Sequence, residues 1–193
     1  MRTFETQGLI RRRQGSGTYV VWPLPVIASG LEVLESIETQ ARRIGLKVTM
    51  GELKIVHRIA LPDEVEALGL QGGDKILHVS RIINADGKPA AYLIDILPDD
   101  VLSPEDLNGE FTGSVLDLLL KRGSPSLANS RCEINSVAAS HDIARAFQIQ
   151  RGDVLLRFVA WLYTESGRVV DYSFSYFLPG QFQFHVVRRV GRL

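Results

Sequence analysis

Three groups of residues in this 193-residue chain are placed to do chemistry, and the chemistry they suggest is binding. The first is Arg81. In Lys75–Ile83, which reads as a strand, alternation puts it on one face with Leu77, Val79 and Ile83, so a guanidinium points to an apolar side. Such a desolvated cation needs an anion or several acceptors. The partner is either the anionic group of a ligand or an internal carboxylate, for instance Asp95 on the returning strand. The second is Ser114, which opens a predicted helix. Ser114-x-x-Asp117 reads as a capping box, and a helix N-terminus with free N–H groups beside a hydroxyl is also an anion site, so both roles can hold at once. The third is a strand near the end of the chain. There Asp171, Ser173, Ser175 and Phe177 alternate on one face, with Tyr172, Phe174 and Tyr176 on the other. One face is expected to pack on helices, and the polar one to line a cavity or meet solvent.

Catalytic patterns are lacking. There is no Ser-His-Asp order, paired-carboxylate motif or P-loop, and Gly15-Ser16-Gly17 is not a nucleophile elbow because no helix follows it. His57, His78, His141 and His185 are scattered, without an i,i+4 pair or a CxxC, so no metal and no cofactor is expected. The single Cys132 cannot close an internal disulfide, which suits a reducing cytoplasm. No apolar run reaches the roughly 18 residues of a membrane span, and the first residues lack the layout of a signal peptide. Lys and Arg number 22 against 22 Asp and Glu, which argues against a protein coated in nucleic acid. Charge is nevertheless uneven. Arg2, Arg11, Arg12 and Arg13 face only Glu5 within the first 20 residues, and Arg188, Arg189 and Arg192 crowd the other end.

The elements that must position these groups follow from periodicity and breakers. A helix ends near Gln7 and is stopped by Gly8; a strand Leu9–Arg13, a turn through Gly15 and Gly17, and a strand Thr18–Trp22 make a basic hairpin. Pro23 and Pro25 mark a linker. Leu31, Leu34, Ile37, Ala41 and Ile44 recur at helical spacing, so a helix is expected over 31–44, then a strand around Leu53–Arg58.

Beyond that point the chain repeats itself. Residues 60–98 and 139–179 share an order of short helix, Gly-Asp turn, strand, turn and strand. Asp63 answers to Asp142, Gly73-Asp74 to Gly152-Asp153, and Leu97-Pro98 to Leu178-Pro179. Each copy predicts a helix followed by a long hairpin, and two such units pair into one antiparallel sheet. Between them 102–111 reads mostly as loop, and 114–122 as a helix stopped by Gly123. The expected class is α/β of the α+β kind, an antiparallel sheet with segregated helices. Three regions are expected: 1–22 as the hairpin piece, 23–29 as linker, and 30–193 as the main domain.

The stretch Phe4–Val20, with its helix end, Gly8-Leu9-Ile10, basic strand and Gly15-Ser16-Gly17-Thr18 turn, resembles the recognition-helix end and wing of the GntR family. The remainder resembles the effector domain of the HutC subfamily, the UTRA domain, which has the chorismate lyase-like fold. The markers are the Leu68–Asp74 turn, the Arg81–Pro89 hairpin, Gly113-Ser114, the Leu155–Phe158 strand and Asp171-Tyr172. A complete reader of that family has about three helices ahead of its wing, and this chain opens inside the third. Specific DNA reading is therefore expected of a longer protein, with Arg11, Arg12, Arg13, Gly15 and Gly17 laid along the DNA backbone or minor groove.

The resemblance also speaks to the ligand. Arg81 falls where phosphosugar-sensing relatives hold their phosphate, and Asp171 where an acid contacts sugar hydroxyls. Departures fall at three further pocket positions. Ile83 stands where those relatives have a second arginine, Leu93 where they have a glutamate, and Phe177 where they have a tyrosine. The effector expected is a small anion with a less polar body than a sugar phosphate, held around Arg81, Ser114, Asp171, Ser173, Phe177, Ile83 and Leu93. Relatives dimerise through this sheet, and Phe182–Val187 reads as an edge strand able to pair across an interface. The alternatives are a chorismate lyase-like enzyme, which has no use for a wing, and a dimerisation module without ligand.

Overall fold

The computed structural model describes residues 10–13, 17–20, 27–108 and 111–187. Strand β1 (Ile10–Arg13) pairs antiparallel with β2 (Gly17–Val20), Arg13 opposite Gly17. This is the basic hairpin expected from the sequence. Gly15, the helix end before it and the two linker prolines lie outside the described residues. Strand β3 (Ile27–Gly30) runs parallel to β10 (Phe182–His185), and Ile27 is buried in the core. Residues 27–29, expected as linker, are thus part of the domain. The segment read as an edge strand for an interface already pairs within the chain.

Helix α1 (Ile37–Arg43) is shorter than the predicted 31–44. Ser36 explains the late start, because its Oγ accepts from the Thr39 backbone N–H at 3.1 Å and caps the helix there. Leu31 and Leu34 have the right spacing but lie exposed in a non-helical segment.

The main sheet has six strands in the order β4 (Val48–Ile59), β5 (Lys75–Ala85), β6 (Lys88–Pro98), β9 (Val169–Phe177), β8 (Val154–Thr164) and β7 (Leu127–Ala138), all neighbours antiparallel. The repeat is therefore a four-element unit. A leading strand, a helix (α2, Pro62–Leu68; α4, His141–Phe147) and a hairpin occur twice, and the copies meet at β6–β9. The Gly-Asp signature has a physical basis in both. Asp74 Oδ2 accepts from Gln71 N at 2.8 Å and Asp153 Oδ2 from Gln150 N at 3.0 Å; Ala60 N donates to Asp74 O at 2.9 Å and Ala139 N to Asp153 O at 2.8 Å. Each aspartate thus closes the turn that returns the chain to the sheet.

Helices α2 and α4 cover one face of the sheet, where Tyr172 and Phe174 pack near Leu68, and Tyr176 packs near Ala144 and Phe147. On the opposite face α1 packs through Ile37 and Ala41 against Ile83, Leu93 and Phe177. Helix α3 (Val115–Arg122) packs there through Val115 and Leu119 against Leu77, Val79 and Leu97. The connection before α3, read as loop, contains a 3-10 turn at Pro104–Leu107.

Candidate functional site

Alternation along four strands gives the second face a row of side chains across the sheet. Pairing sets Arg81 opposite Leu93, Leu93 opposite Ser175, Ser175 opposite Phe158, and Phe158 opposite Ile134. The next row runs Asp95, Ser173, Ala160 and Cys132. These rows floor a cavity of about 740 Å³, which residues 30–38, Ser114 of the α3 N-terminus and Phe184 of β10 help to wall. The volume falls in the range of small-molecule sites.

At the polar end the Arg81 side chain is 4% exposed and pairs with Asp95, while its Nε donates to the carbonyl of Gly113. The internal ion pair thus exists. Together with the Gly113 carbonyl it occupies two of the five guanidinium N–H groups. Gly113 adopts φ +116, and a Cβ there would lie 3.1 Å from Glu38 Oε1 and 3.3 Å from Ile83 Cδ1, so position and backbone both call for glycine. Ser114 caps α3, its Oγ accepting from Asp117 N at 3.0 Å. The reciprocal half of a capping box goes elsewhere, because Asp117 Oδ2 accepts from Ser36 Oγ at 2.6 Å and ties α3 to the capping residue of α1.

Two carboxyls stand out. Asp171 is 6% exposed, its Oδ1 has no hydrogen-bond partner, and burial followed by the charge of Asp95 pushes its pKa well above the usual carboxylate value. Glu38 Oε1 is likewise buried without a partner, and burial raises its pKa. The opposite end is aromatic. Phe158, Phe177 and Phe184 meet with ring centroids 4.5–5.1 Å apart.

Arg81, Leu93, Ser114, Asp171, Ser173 and Phe177 are therefore gathered around one cavity, as is Ser175. Ile83 is not. It is fully buried in the core beneath α1, because two residues along β5 the strand has passed under the helix. Arg11, Arg12 and Arg13 sit on the separate β1–β2 hairpin. Glu38, Phe158 and segment 30–36 also line the cavity and were not among the site residues expected from the sequence. Glu38 lies one turn before Ala41 and next to Ile37, both buried, so a helical wheel would have placed it inward.

The profile of the UTRA domain matches residues 43–183, well over half of the chain. The chain belongs to the UTRA domain family of GntR/HutC-type regulators. It is 25% identical over 190 residues to the histidine utilization repressor of Pseudomonas aeruginosa, covering 93% of this chain and 70% of that protein. The crystal structure of PhnF from Mycobacterium smegmatis superposes with a TM-score of 0.79 at 17% identity, over 98% of this chain and 82% of that one. The effector domain of PhnF alone gives 0.75 at 16% identity, covering 85% of this chain and all of that one (100%). At such identities the structures establish the fold alone.

Proposed function

We propose that this UTRA domain, the effector-binding part of a transcription regulator, senses a small metabolite with an anionic group and an apolar body. The observation that carries the reading is the cavity itself. A buried guanidinium with N–H groups to spare sits at one end, and a cluster of phenylalanines sits at the other. The anionic group would take the N–H donors of Arg81 not used by Asp95 and Gly113, beside the capped N-terminus of α3. Ser173 and Ser175 offer hydroxyls along the floor, and Phe177 and Leu93 suit a body less polar than a sugar.

In a regulator of this family the wing, with Arg11, Arg12, Arg13, Gly15 and Gly17, would contact DNA, in the cytoplasm. A homodimer would let effector binding alter the spacing of two reading heads. Binding without turnover is favoured because the curated relatives this chain resembles are named as repressors. A thermal-shift screen tests the reading. Apolar carboxylates should raise the melting temperature of the chain but not of Arg81→Gln. A clear shift with sugar phosphates and none with apolar acids would sink it, as would turnover of chorismate by the purified protein.

A further inference from the structure

The charges that line the cavity are unbalanced. Among the described residues Glu32, Glu35, Glu38, Asp95 and Asp171 face a single cation, Arg81. Three of the acids are already engaged. Glu32 accepts from the Val187 backbone N–H, Glu35 pairs with Arg43 at 2.5 Å, and Asp95 holds Arg81. Glu38 Oε1 and Asp171 Oδ1 are left as buried acceptors to which nothing donates. Glu38 projects from α1 and Asp171 from the sheet floor, and both feel the charges of Arg81 and Asp95. Unmet acceptors in a low-dielectric site cost free energy until a donor arrives, and a purely anionic ligand would add repulsion without supplying one.

We propose that the effector is a zwitterion, an ammonium-bearing acid with an apolar body, whose N–H donors are taken by Glu38 and Asp171 while its anionic group meets Arg81. This rests on the effector-site reading above and narrows the ligand class within it. Glu38 and Asp171 are the specificity-determining residues for the ammonium end. Both hold protons more tightly than an exposed carboxyl, Glu38 facing Arg81, Asp95 and Asp117, and Asp171 facing Asp95 and Arg81. An arriving ammonium favours their ionised forms, so binding releases protons. An anion placed there without an ammonium would favour the protonated forms and take protons up.

Three probes with one phenyl body separate the possibilities: L-phenylalanine, 2-phenylethylammonium and 3-phenylpropionate. Each is titrated calorimetrically into the full chain in two buffers of different ionisation enthalpy. The two ammonium probes are expected to bind saturably with proton release. Glu38→Gln and Asp171→Asn should each weaken them about ten-fold while leaving 3-phenylpropionate unweakened. Glu38→Gln, on a half-buried helix face, covers the case in which the buried Asp171 variant fails to fold. The proposal is overturned if neither ammonium probe saturates up to about 20 mM, or if neither variant changes their affinity. Should 3-phenylpropionate alone bind, in an Arg81-dependent way, the effector site stands and the zwitterion falls. Should no probe bind, both fall.

Discussion

Replacing Arg81 by methionine removes the one cation that lines the cavity among the described residues while keeping an unbranched apolar stem. The Arg81 side chain is 4% and that of Asp95 12% exposed, so the variant leaves a buried carboxylate without its counter-charge, beside the already buried Asp171. Breaking such a pair from one side costs about 3–5 kcal/mol. The Gly113 carbonyl also loses its donor, worth about 1 kcal/mol more. At roughly 2–4 °C per kcal/mol for a chain of this size, the melting temperature should fall by about 8–24 °C at neutral pH. The loss should be pH-dependent. A buried carboxylate without a counter-charge is costly while it is ionised, so the penalty is largest at high pH. Thermal melts and urea titrations of wild type, Arg81→Met, Asp95→Leu and the double variant, at about pH 7.5 and pH 5, measure this. The double variant should recover most of the loss, since an apolar pair can replace an ionic one. A single variant within about 1 kcal/mol of wild type, or a loss unchanged by pH, would refute the reasoning.

Asp171→Asn should stabilise the unliganded chain at neutral pH. Burial and the nearby Asp95 raise the carboxyl's folded-state pKa, so stability declines as pH climbs from the unfolded value through the folded one; the gain in melting temperature should fade toward about pH 4. Gly113→Ala should cost about 1–3 kcal/mol in urea unfolding, because φ is +116 and the new methyl would lie 3.1 Å from Glu38 Oε1. Ser36→Ala loses both the α1 cap and the 2.6 Å bond to Asp117, and should destabilise by about 2 kcal/mol. Ser140→Ala loses only a long 3.4 Å cap bond at α4 and should cost less than half of that in the same assay.

Much of the framework was legible because local chemistry repeats. The two Gly-Asp turns, the glycine-containing hairpin tips and the Ser114 cap each carry their own hydrogen bonds, and each appears where the residue pattern indicates. Strand β7 was not legible. It is exposed at most positions along 127–138, so burial imposed no alternation on its sequence. The early helix start was misread for the opposite reason. Leu31 and Leu34 have helical spacing, but they stand at the cavity wall, and the Ser36 cap decides where the helix begins.

The sequence by itself determined which way Arg81, Asp171, Ser173, Ser175 and Phe177 face, because strand alternation is a property of the local backbone. It also determined the family, through signatures that are short and local. Only the tertiary structure decided that these residues share one cavity. They lie on strands from two copies of a unit whose leading elements are about 80 residues apart, and pairing of β6 with β9 brings them together. Only it decided that Arg81 meets Asp95, that Ile83 passes beneath α1, and that Glu38 stands over the site without a partner. Burial and charge proximity are sums over elements distant in the chain, and a local pattern does not contain them.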